Sequence, residues 1–134
     1  MTMPELLVVL VVAGAIAAIA IPAFDDQESK GSDAEAKSTV AMAAATIESC
    51  ATDHRGSYEG CSEETLLSME PGLADTADRV TVVARPHSYE IVVVSPRDSR
   101  VSFALTRAAD GTTTRTCTTN EDRGGCLVPT TGTW

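Results

Sequence analysis

The chain has 134 residues, 10 basic against 19 acidic, with a formal net charge of −9 and a pI near 4.5. That length accommodates one small domain beside a long apolar segment, and a second domain is not expected. The charge, of which all but the share of Glu5 lies beyond Phe24, excludes a surface built for nucleic acid or anionic headgroups by Coulomb repulsion, so direct nucleic-acid binding is not expected.

Glu5 is the only charge before Asp25, and it abuts a run from Leu6 to Phe24 made of hydrophobic or small residues apart from Pro22. Drawing a carboxylate into hydrocarbon costs roughly 2.5 to 3.5 kcal/mol, so Glu5 needs a partner, and the nearest cation is the α-amine of Met1, on this copy or another. As an α-helix the run covers about 28 Å, close to the ~30 Å of a bilayer core, which predicts a single span. A cleavable secretory signal would start with a positive region, and no Lys or Arg precedes Lys30. A buried core helix is disfavoured as well, because so small a chain could not cover a segment apolar on every side. Ala13 with Ala17 and Gly14 with Ala18 form small-xxx-small pairs that let helix backbones approach closely. Pro22 removes a backbone donor and crowds the carbonyl of Ala18, so Gly14 to Pro22 is where this helix could bend or melt.

From Asp25 the pattern turns charged but stays helical. Ser32-Asp33-Ala34-Glu35 reads as a capping box, and Ala34 to Ala51 carries Val40, Ala43, Ala44, Ile47 and Ala51 on one stripe that should face a sheet. Across the polar Asp25 to Gly31 a continuous helix is expected. Ser62-Glu63-Glu64 opens a short helix closed by Pro71-Gly72. Val80–Ala84, Tyr89–Val94, Val101–Thr106 and Thr112–Thr116 read as four strands of an antiparallel meander, joined by Arg85-Pro86-His87, Ser95 to Asp98 and Ala109-Asp110-Gly111. Alternation turns Val80, Val82, Ile91, Val93, Val101, Phe103 and Leu105 inward. The fold class is therefore α+β. The long N-terminal helix packs on about four antiparallel strands, with residues 1–24 as the apolar segment and 25–134 as the head, itself a helix half (25–53), a connecting loop (54–79) and the sheet with a C-terminal loop (80–134).

Four cysteines in a small domain after a membrane-type segment point to disulfides formed outside the cytoplasm. Of three connectivities, Cys50 with Cys61 and Cys117 with Cys126 is expected, since each closes a short polar loop. The spacings lack the C-x2-C knuckles of structural zinc sites, so neither a metal nor a cofactor is expected. The polar residues 118–125 belong on the surface, and the tail ending at Trp134 reads as a frayed terminus, with cover of a neighbouring subunit or threonine glycosylation as other readings. No G-x-S-x-G, phosphate-cradling loop or H-E-x-x-H is present, and His54 and His87 read as exposed loop residues. Acid groups such as Asp25-Asp26 and Glu63-Glu64 read as solvated faces, and the chain is expected not to be an enzyme.

The stretch Met1-Thr2-Met3-Pro4-Glu5-Leu6-Leu7-Val8-Val9-Leu10, with Gly14 and then Ala17-Ala18-Ile19-Ala20-Ile21-Pro22-Ala23-Phe24, resembles the N-terminus of a mature type IV pilin. The likeness covers about the first 24 residues. It departs from the family at Met1, most often Phe there, and at Pro4, which the first helical turn tolerates. The resemblance implies that a leader ending before Met1 has been removed, that the Met1 amine is a methylation site, and that Met1, Glu5, Gly14, Ala18 and Pro22 serve assembly. It implies a long helix laid on a small antiparallel sheet, and a disulfide-closed C-terminal loop displayed on the filament exterior. The implied partners are further copies of the chain in a helical filament, the membrane before assembly, a prepilin peptidase and an assembly platform. The implied location is a single-pass membrane protein that becomes an extracellular pilus. A pseudopilin of type II secretion and a non-polymeric membrane-anchored binding module are the alternatives.

Overall fold

In a computed structural model, the structure describes residues 3–119, 126 and 132–134; the side chains of residues 18–26 lie outside the described set. Helix α1 runs without a break from Met3 to Asp53. The capping box at Ser32 to Glu35 is therefore not used as one. Asp33 continues the 3-4 spacing of Ala36, Val40, Ala43 and Ile47 backward along the helix, and its carboxyl is buried where a cap would be solvated.

Helix α2 (Glu63–Met69) starts at Ser62, whose hydroxyl accepts from the Thr65 amide. Pro71 does not close it. It opens a further turn, α3 (Pro71–Ala74), with Glu70 as N-cap, because proline lacks only an amide that the first turn leaves unpaired anyway.

The strands β1 (Val80–Arg85), β2 (Ser88–Val94), β3 (Ser102–Arg107) and β4 (Thr113–Thr118) form one antiparallel sheet in sequence order. Its register aligns Val80, Val93, Phe103 and Cys117 in one inward row and Val82, Ile91, Leu105 and Arg115 in the next. The predicted inward residues are buried except Val82, which is half-buried near the β1 edge. Gly111, at φ +87°, supplies the left-handed residue of the β3–β4 turn, where Asp110 accepts from the Thr112 amide at 2.8 Å. Those bonds hold the Asp110 carboxyl below the usual carboxylate range.

The core lies between α1 and the sheet. Val40, Ala43 and Ile47 are fully buried against β2 and β3, and alanines at 36, 43 and 51 let the helix settle close to the strands. α1 does not reach β4; Trp134 lies beside that strand instead, its ring 5.3 Å from the Arg115 guanidinium. That ring meets Phe103 edge-on at 5.9 Å, and its Nε1–H donates to the Ala104 carbonyl at 3.2 Å. The expected frayed end is thus corrected at Trp134: an aromatic this large is held by the apolar surface α1 leaves open. Gly132 also bridges to Cys117, accepting its amide at 2.9 Å.

Among the described residues, no helix is long and apolar enough to cross a membrane. The expected span, Leu6 to Phe24, runs into residues 18–26, whose side chains lie outside the described set.

Candidate functional site

The first turns of α1 present an unusual surface. Leu6, Leu7, Val8, Val9, Leu10, Val11 and Val12 are all exposed, from 48% to 70%, as is Ile16. Seven consecutive residues circle a helix about twice, so the apolar surface has no polar side. A shallow groove of about 220 Å³ runs between Leu7, Val8, Val11 and Val12. One turn further, a Cβ added at Gly14 would meet nothing within 4 Å, which leaves bare backbone open to a close neighbour. At roughly 1.5–3 kcal/mol per buried aliphatic side chain, covering these eight is worth on the order of 10–20 kcal/mol.

Glu5 lies in the first turn of α1 and is exposed, where a carboxylate suits the positive end of the helix dipole. Of the other expected assembly residues, Met1 lies outside the described residues, as do the side chains of Ala18 and Pro22. The backbone stays helical through both of the latter positions.

Both expected disulfides are present, Cys50–Cys61 and Cys117–Cys126. Residues 120–125 of the second loop, expected on the surface, lie outside the described residues. The first bridge fastens the last turn of α1 to the loop that precedes α2, and both of its cysteines are fully buried. His54, exposed as expected, lies beside this bridge, its Nδ1 3.7 Å from Cys50 Sγ. Its Nδ1 is 2.9 Å from the Cys50 carbonyl. A carbonyl can only accept, so Nδ1 carries the proton.

Polar contacts that the sequence reading missed fix the helix to the sheet. Glu48 accepts from the Tyr58 hydroxyl at 3.0 Å and the Tyr89 hydroxyl at 3.1 Å, with Arg107 Nε 3.5 Å away. The two tyrosine rings meet edge to face at 4.9 Å. Burial first, and then the charge of Glu48 and its hydrogen bond, push the Tyr89 hydroxyl far above its ordinary pKa; Tyr58 moves the same way for the same leading cause. Towards the other end of the head, Ser95 donates to Asp33 at 2.8 Å, Arg79 pairs with Glu35 at 3.0 Å, and Arg97 pairs with Glu28. The signal for Asp33 and Glu48 was available, since both lie on or beside the buried stripe of α1. Their partners, 62 and 41 residues away, had none.

Comparison of the chain with family models, curated proteins and solved structures gives no match.

Proposed function

We propose that this chain is the structural subunit of a helical surface filament of the type IV pilus kind. The observation that carries the reading is the all-round exposure of Leu6 to Val12 on the same unbroken helix whose later turns form the core of the head. Such a helix must be covered by lipid or by other helices, and Gly14 gives helices a place to approach. In the membrane the apolar segment holds the protomer with its head outside the cytoplasm. On assembly these segments leave lipid and pack on one another, a heterologous contact that does not close and so propagates. Glu5, carried into that core, is tolerable where the Met1 amine of a neighbour pairs with it, because attraction then replaces lost hydration. The family likeness of residues 1–24 supports the same reading and supplies the remaining partners, a leader peptidase and an assembly platform.

Glu5→Ala tests it. The variant is expected to fractionate with membranes like the parent yet give few or no filaments in electron micrographs of sheared material. Normal filament numbers in the variant would overturn the proposal.

A further inference from the structure

β2 and β3 alternate buried with half-buried residues, but β4 buries only Cys117. Register and alternation turn Thr113 and Arg115 to the inner side of the sheet, where α1 does not reach, so both stay exposed on an open shelf. With Thr114, Thr133 and Trp134 they line a groove of about 450 Å³, within the size range of small-molecule sites.

The groups around this groove are either fixed or uncommitted. Trp134 is fixed, because its Nε1–H is given to the Ala104 carbonyl and its ring meets Phe103 edge-on. An indole has no second hydrogen-bonding group, so it offers the groove an apolar wall. The Arg115 guanidinium lies over that ring at 5.3 Å, which steadies the planar fork and leaves its N–H edge for a ligand. Among the described residues, Arg79, Arg97, Arg100 and Arg107 each meet a carboxylate, while none pairs with Arg115. Among the same residues no hydrogen bond engages the hydroxyls of Thr113, Thr114 or Thr133.

We propose that this groove binds a uronic-acid sugar, a pyranose ring that carries hydroxyls and one carboxylate. The carboxylate takes two parallel N–H groups of Arg115. The threonine hydroxyls, each both donor and acceptor, match the hydroxyls of the ring, and the C–H surface of the sugar lies along the indole. Other ligands use only part of this set. Inorganic phosphate leaves the indole bare, and an apolar acid strands three hydroxyls. An extended peptide needs the free edge of β4, which the tail already enters where Gly132 pairs with Cys117. The net charge of −9 opposes an anion at long range, yet at about 0.15 M salt screening confines that field to about 8 Å, and Arg115 is the one charged residue among those that line the groove.

The groove lies apart from the apolar turns of α1, so its test does not depend on filaments. Trp134 is the only tryptophan of the chain, and its fluorescence reports on the groove directly. The full chain in detergent at physiological salt is titrated with D-glucuronate and its methyl glycoside, with glucose, acetate and inorganic phosphate as controls. Glucuronate is expected to give a saturable change with a Kd on the order of 1 mM, ordinary for a ligand of its size. The methyl glycoside follows it where the natural ligand is a residue of a glycan chain, and fails where it is the free sugar. Glucose, acetate and phosphate should each bind at least about tenfold more weakly, because each lacks one part of the match. Arg115→Gln, at an exposed position and checked by circular dichroism, should erase the preference for glucuronate over glucose. Thr113→Val with Thr133→Val should weaken glucuronate on the order of tenfold and leave acetate unchanged. No saturable change up to about ten times the expected Kd, acetate or phosphate binding as tightly as glucuronate, or a preference that survives Arg115→Gln would each overturn the proposal.

Discussion

Replacing Asp33 with alanine removes a buried carboxyl from the middle of a helix, and the structure sets the size of the effect. Asp33 is fully buried and Ser95 is 2% exposed, so the serine hydroxyl that now donates at 2.8 Å would be left without that acceptor and without water. A bond of this kind is worth about 1 kcal/mol net, but with the serine hydroxyl left buried and orphaned the loss becomes about 1–3 kcal/mol. Alanine returns up to about 0.7 kcal/mol through its higher helix propensity. The net expectation is a loss of about 1–3 kcal/mol, a large share of the roughly 5–15 kcal/mol that holds a domain together. At about 4–8 °C per kcal/mol for a domain near 100 residues, the melting temperature of the detergent-solubilised chain should fall by on the order of 10 °C. Circular dichroism melts of Asp33→Ala, Ser95→Ala and the double variant measure this. The double variant should lie closer to Asp33→Ala than the sum of the two single losses, since no orphan remains once both partners are gone. A loss below about 0.5 kcal/mol for Asp33→Ala, the range of an ordinary surface change, or strictly additive single effects would refute the reasoning.

Removing the Cys50–Cys61 bridge by paired alanine substitution frees an 11-residue separation, and loop entropy puts the cost at about 2.8 kcal/mol, measurable as a lowered denaturation midpoint. The tyrosine pair makes stability fall at alkaline pH. Both hydroxyls titrate higher in the folded state than the ordinary value of about 10, so above that pH the unfolded chain releases protons that the folded one keeps, and the folded state loses ground. Denaturation midpoints should hold up to about pH 10 and then decline, and Glu48→Gln should make that decline shallower; an identical profile for the variant would remove Glu48 from the account.

Much of the head was legible in the sequence for reasons that can be named. The four strands have period-2 alternation of β-branched residues between turns of Pro, Asp and Gly, and their observed bounds differ from expectation by a residue or two. The stripe Val40-Ala43-Ile47-Ala51 has a helical period that only one face can satisfy. What was missed is polar and long-range. Asp33 followed a serine and preceded Glu35, so local chemistry read it as part of a cap, while its burial depends on Ser95 in the β2–β3 loop. Trp134 reads as a loose end because nothing local marks Phe103 and Ala104 of β3, on which it packs, as open at that side of the sheet. The exposed apolar turns at Leu6 to Val12 are readable from composition alone, whereas Cys50, His54 and Cys61 come together only through a reversal of the chain at three positive-φ residues.

The contacts of the β2–β3 loop with α1 have a mechanical consequence. Glu28, held by Arg97, and Asp33, held by Ser95, act as a fulcrum at the point where the helix leaves the head. From Glu28 to Met3 the helix extends about 38 Å, so a tilt of only about 5° at the fulcrum displaces its tip by roughly 3 Å, more than the length of a hydrogen bond. Two side-chain pairs and a seven-residue loop therefore set the tolerance with which a carboxylate at the far end can meet anything at all.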